Sequence, residues 1–67
     1  MYTLKLFYRY GSFFTTYGDD PLVLEESGLE AQRRGMVVAW RVVNVGNGKC
    51  YAYWRENEHE RNRAYSL

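Results

Sequence analysis

The sequence contains one cysteine, Cys50, and one histidine, His59. A lone cysteine excludes an intrachain disulfide, and one Cys with one His cannot build a Cys/His zinc site within a chain. No stretch approaches the roughly 18 consecutive apolar residues of a membrane-spanning helix. The start, Met1-Tyr2-Thr3-Leu4-Lys5, lacks the charged segment and long apolar run of a secretion signal. With the single cysteine, these absences predict a reducing, cytoplasmic setting. An excess of either charge is missing too: the net charge is +1, which disfavours purely electrostatic binding to nucleic acid. At 67 residues the chain cannot hold two domains, a Rossmann-type nucleotide fold, a barrel enzyme or a deep enclosed cavity.

What is abundant is aromatic. Seven Tyr, three Phe and two Trp make 18% of the chain. A single core of this size supplies only about 3–5 kcal/mol, so dense aromatic packing or self-association must compensate, and a homodimer is expected. Charge is unevenly placed. Residues 18–30 carry −5 and the remainder +6, with Arg making up seven of the nine cations, a bias that favours stacking and planar pairing.

Along the chain, residues 2–10 alternate. Tyr2, Leu4, Leu6, Tyr8 and Tyr10 fall on one side, and Thr3, Lys5, Phe7 and Arg9 on the other, as in a half-buried strand. Gly11-Ser12 is a hairpin signal, and residues 13–17 are strand formers that return. Asp20-Pro21 is a cap-and-N1 pair, yet Ser27-x-x-Glu30 is a capping box. The sequence therefore predicts a helix over 28–34, with 21 as its earliest start, ended by Arg33, Arg34 and Gly35. The acidic segment then reads as the favourable end of a helix dipole. Residues 36–43 are rich in Val and form the strongest strand. Asn47-Gly48 reads as a type I′ turn, placing Arg41 opposite Trp54, Trp40 opposite Arg55 and Val42 opposite Tyr53. Residues 56–67 are polar, a tail or short helix after a single domain spanning 1–55.

The expected fold is α+β: two β-hairpins in a four-stranded antiparallel sheet with one helix between them, in the order β-β-α-β-β. An SH3-like small barrel, with 21–25 as a strand, is the alternative.

Catalytic constellations are weak. Asp19-Asp20 and Glu25-Glu26 are adjacent carboxylates that do not converge. Glu56, Glu58, His59 and Glu60 could hold a metal only through a charge-rich solvated segment. Cys50 beside Lys49 has no base aligned with it, and Gly46-x-Gly48 precedes a strand rather than a helix, unlike a phosphate loop. No enzyme activity, cofactor or metal is expected.

Binding fits better. One helix covers one sheet face, so either residues from the set Phe7, Arg9, Phe14, Arg41 and Trp54 or the opposite set with Tyr8, Trp40, Tyr53 and Arg55 are exposed, and either composition of aromatics and arginines suits a protein interface. The candidate partner-binding residues are Arg41, Trp54, Tyr53, Arg55, Trp40, Tyr51, Phe7 and Arg9. The layout resembles short cytoplasmic single-domain proteins of phages and mobile elements. That resemblance implies a protein that binds a larger component, often as an inhibitor. Single-stranded nucleic acid stacking on the same face is the alternative. No membrane partner is expected.

Overall fold

A computed structural model of the chain describes residues 1–56, so the expectations for 57–67, including Glu58, His59 and Glu60, lie outside the described residues. Four strands and one helix follow in order: β1 (Tyr2–Tyr8), β2 (Phe13–Gly18), α1 (Pro21–Arg33), β3 (Val37–Asn44) and β4 (Cys50–Arg55). The sheet is open and antiparallel, in the order β2-β1-β3-β4. This is the expected α+β arrangement, and not a closed barrel.

The first strand ends at Tyr8, two residues earlier than its alternation predicts. The Gly11 N–H donates to the Tyr8 carbonyl at 3.1 Å and the Tyr8 N–H to the Ser12 carbonyl at 2.8 Å. Arg9 and Tyr10 are therefore turn residues, and Gly11 takes the positive φ of 100° that closes such a three-residue loop.

The helix adopts the earlier of its two possible starts. Asp20 is the N-cap and its carboxylate accepts the Leu22 N–H at 3.0 Å, with Pro21 in the first turn. That cap nucleates the helix before Ser27 is reached. The Ser27–Glu30 capping box consequently does not form. The Ser27 hydroxyl instead donates to the Val23 carbonyl one turn back, and Glu30 accepts from Arg33 and Arg34. The first turn holds no acidic residue, so of the acidic segment the capping Asp20 keeps the expected place at the positive end of the dipole, while Glu25, Glu26 and Glu30 lie further along the helix. The predicted stop is present. The Gly35 N–H donates to the Gln32 carbonyl and the Met36 N–H to the Ala31 carbonyl, the paired bonds of a Schellman cap, with Gly35 at φ +71°.

Leu24, Gly28 and Ala31, spaced along one helix stripe, are its buried residues. They meet Leu4, Val37, Trp40 and Val42 to form the core. Gly28 allows the closest approach: a β-carbon there would lie 2.6 Å from Cδ2 of Trp40. The indole N–H of Trp40 is satisfied by Gln32 Oε1 at 2.9 Å. Tyr2, Leu6, Tyr8, Ala52 and Trp54 pack around this centre, partly buried.

The second hairpin differs from its predicted register by one residue. Trp40 faces Trp54, Arg41 faces Tyr53, Ala39 faces Arg55 and Val42 faces Ala52. The predicted Arg41–Trp54, Trp40–Arg55 and Val42–Tyr53 pairs are absent. The loop is the cause. Asn47 does not take a positive φ, so no type I′ turn forms. Asn44 Oδ1 instead accepts from Gly46 and Asn47, the Gly48 N–H donates to the Asn44 carbonyl, and Asn44 pairs with Lys49. The loop is four residues long, and a bulge between Val42 and Val43 absorbs the mismatch.

Candidate binding face

Registers fix which side chains share a face, because directly opposed residues in an antiparallel pair point the same way. The helix covers the side bearing Leu4, Leu6, Trp40, Val42, Ala52 and Trp54. The opposite side is uncovered among the described residues. Across β2-β1-β3-β4 it reads in three rows: Tyr17, Thr3, Val43 and Cys50; Thr15, Lys5, Arg41 and Tyr53; Phe13, Phe7, Ala39 and Arg55.

The middle row contains the notable feature. Lys5 and Arg41 lie directly opposite each other on the two central strands. Like charges in that position destabilise a sheet. Neither forms an ion pair among the described residues; both cations instead sit against rings. Lys5 Nζ lies 4.5 Å from the Phe13 ring centre and 5.7 Å from that of Phe7, and the Arg41 guanidinium carbon lies 5.7 Å from Phe7. Such contacts hold cations in place without neutralising them. Arg55 adds a third positive charge in the neighbouring row, and no Asp or Glu occurs in any of the three rows. Five of the six described acids, Asp19, Asp20, Glu25, Glu26 and Glu30, belong to α1 and its approach, and the sixth, Glu56, follows β4 and is paired with Arg9. The molecule thus has a cationic sheet face and an acidic helix side, which the overall charge of +1 conceals.

A shallow concavity of about 730 Å³ opens on this face, bordered by Phe7, Ala39, Arg41, Val43, Cys50, Tyr53 and Arg55 among others. Phe13, Tyr17 and Tyr53 are each more than half exposed.

The sequence-derived candidates divide. Phe7, Arg41, Tyr53 and Arg55 come together on the open face. Trp40, only 3% exposed, is a core residue under α1 and cannot contact a partner through its ring. Trp54 shares that helix side and is half-buried. Tyr51 falls beside the bulge and packs edge-on against Tyr2, with ring centres 6.0 Å apart. Arg9 lies beyond β1, where its guanidinium makes two 3.1 Å hydrogen bonds to Glu56 and a third to the Gly35 carbonyl. That clasp raises the Arg9 pKa, chiefly through the hydrogen bond to Glu56, and ties the ends of β1 and β4 to the α1–β3 turn. Sequence reasoning missed Lys5, Phe13 and Tyr17 as face residues. Lys5 was legible, since the alternation of β1 already placed it beside Phe7.

Among the described residues no group of three or more His, Cys, Asp or Glu is placed to hold a metal ion, and no helix is long and apolar enough to cross a membrane. Comparison with protein-family models, curated proteins and solved structures found no match.

Proposed function

We propose that the protein is a non-enzymatic interaction module that binds a larger protein through its open sheet face. The cross-strand Lys5–Arg41 pair carries this reading. Two uncompensated cations at the centre of an aromatic surface cost stability in the free protein, and a partner's carboxylates would offset that cost. Tyr and Arg around them match the composition of interface hot spots, and preset charges speed encounter and select partners. The partner surface is accordingly acidic, with apolar groups to meet Phe7, Phe13 and Tyr53. Binding acts by steric occupation, as in inhibitors of the phage or mobile-element kind, within the cytoplasm. Self-association through this face is disfavoured, because a two-fold axis there would set cation against cation.

Single-stranded nucleic acid is the second reading, favoured by the same cations and by Tyr53 and Tyr17. It is weaker because Lys5 occupies the faces of Phe13 and Phe7 that bases would stack on. Neither tryptophan lies on the open face, so tryptophan quenching is not the decisive readout. The test compares wild type with Lys5→Glu and Arg41→Glu. A protein captured by wild type, lost by both variants and bound again as a purified component supports the proposal. Capture unchanged by both substitutions overturns it. Tight, salt-sensitive binding of a labelled mixed oligonucleotide, with no protein retained, transfers the face to the second reading.

A further inference from the structure

Among the described residues strand β2 is an edge, and it lacks the devices that normally keep an edge from pairing. Phe13-Phe14-Thr15-Thr16-Tyr17 has no charge, no proline and no bulge. The other edge is guarded: β4 ends in Arg55, follows Lys49 and carries the bulge.

The hydrogen-bond phase of β2 follows from its hairpin. Tyr8 donates to Ser12, so Tyr8 and Ser12 form a hydrogen-bonded pair and such pairs alternate along the ladder. Leu6–Phe14, Leu4–Thr16 and Tyr2–Gly18 are then bonded pairs in the established register. Phe13, Thr15 and Tyr17 point their N–H and C=O groups outward, away from β1.

We infer that a second copy of this chain pairs antiparallel with β2, with a two-fold axis at Thr15, giving a continuous eight-stranded sheet. In that register Thr15 faces Thr15 of the second copy, and Phe13 faces its Tyr17. Every outward donor of the three residues then meets an outward acceptor. The opposed pairs are Phe–Tyr and Thr–Thr on the open face and Phe14–Thr16 on the helix side, aromatic and β-branched combinations that are favourable across strands. No charged side chain lies on β2, so no like charges are brought together at the seam. Phe13, Phe14 and Tyr17, at 62%, 55% and 63% exposed, gain cover. Edge pairing buries less than a standard interface, so the association is expected to be weak and concentration-dependent. The two open faces become one surface with two Lys5–Arg41 centres, suited to bivalent contact.

Sedimentation velocity of the full chain, under reducing conditions because Cys50 is exposed, tests this between about 1 μM and 1 mM. Wild type should shift from monomer to dimer. Thr15→Lys should remain monomeric, its midpoint moved by more than about tenfold, with circular dichroism confirming the fold. Mixing Thr15→Lys with Thr15→Glu should restore the dimer by opposing unlike charges at the axis. A wild type monomeric at the highest concentration overturns the inference, even if it accepts a foreign strand. So does a Thr15→Lys protein that dimerises as wild type does, since the contact would then lie elsewhere.

Discussion

Replacing Gly28 with alanine sets two physical effects against each other. Glycine in a helix interior costs about 1 kcal/mol relative to alanine, so propensity alone makes Gly28→Ala stabilising. Packing opposes it. The added β-carbon would stand 2.6 Å from Cδ2, 2.9 Å from Cε3 and 3.0 Å from Cγ of Trp40, whereas carbon atoms rest at about 3.5–4.0 Å. The ring would have to retreat by about 1 Å at its nearest atom. It has little freedom to do so. It is 3% exposed, bonded to Gln32, and set between Leu6 and Trp54 on the neighbouring strands.

Overpacking of this kind costs about 1–3 kcal/mol, and three ring atoms in the way put this case at the upper end. After the propensity gain, the net loss is about 1–2 kcal/mol. For a domain of this size each kcal/mol moves Tm by roughly 4–8 °C, so Tm should fall by roughly 5–15 °C. Thermal and urea unfolding followed by circular dichroism measure it. In a Trp40→Phe background, where the smaller ring leaves room, Gly28→Ala should become neutral or stabilising. A coupling of about 1–3 kcal/mol in that double-mutant cycle is expected. A higher Tm for Gly28→Ala in the presence of Trp40 would refute the close-approach reasoning.

Three other perturbations follow from single contacts. Asp20→Ala removes the side-chain acceptor for the Leu22 N–H and should lower stability by about 1 kcal/mol in urea unfolding, with Asp20→Asn largely retaining it. Glu30 is held below the usual glutamate range, first by its hydrogen bond from Arg33 and then by that from Arg34. Its contribution is present above the unfolded-state pKa and is lost as pH falls through the lowered folded pKa; the effect is small and salt-screened at this exposed site, and Glu30→Gln should flatten the acid limb of Tm against pH. Lys5→Glu should raise thermal stability, because a like-charge pair with Arg41 becomes an opposite-charge pair worth about 0.2–1 kcal/mol. The same substitution should abolish partner binding, and a lower Tm would argue that Lys5 is kept for its packing on Phe13.

Local signals specified most of the architecture. Alternation put Leu4 and Leu6 on one side of β1 and Thr3, Lys5 and Phe7 on the other, and the structure keeps that division, with the first set turned toward the helix. Gly35 ended the helix because only a left-handed residue satisfies the last carbonyls there. Where two local signals competed, the sequence alone did not rank them. Asp20-Pro21 and Ser27-x-x-Glu30 are both plausible helix starts. The earlier one forms because it lets Leu24, Gly28 and Ala31 reach the sheet as one stripe, a tertiary gain invisible to capping rules.

The composition of the open face depended on one residue of register. Side chains alternate with a period of two, so shifting β4 by a single position moves its whole set to the other side. With Asn47-Gly48 as a two-residue turn, Trp54 would join Arg41 outside and Tyr53 would turn inward. The four-residue loop, held by Asn44 Oδ1, reverses this: both tryptophans go to the helix side, and Arg41, Tyr53 and Arg55 gather outside. The physical contest is between the turn propensity of Asn-Gly and burial of the Trp54 indole, since Trp40 on β3 stays on the helix side in either register. Fully burying one large side chain is worth about 1.5–3 kcal/mol, more than the β-propensity differences that rank strand residues. Burial therefore sets the register and the loop accommodates it. The same shift leaves Lys5 and Arg41 facing each other without a tryptophan between them and any partner. Asn44→Ala removes the acceptor that holds the four-residue loop and leaves the Asn47-Gly48 turn signal in place. Because burial sets the register, tryptophan emission should stay unchanged; a red shift with an intact fold, reporting an exposed Trp54, would show that the loop, rather than burial, sets the register.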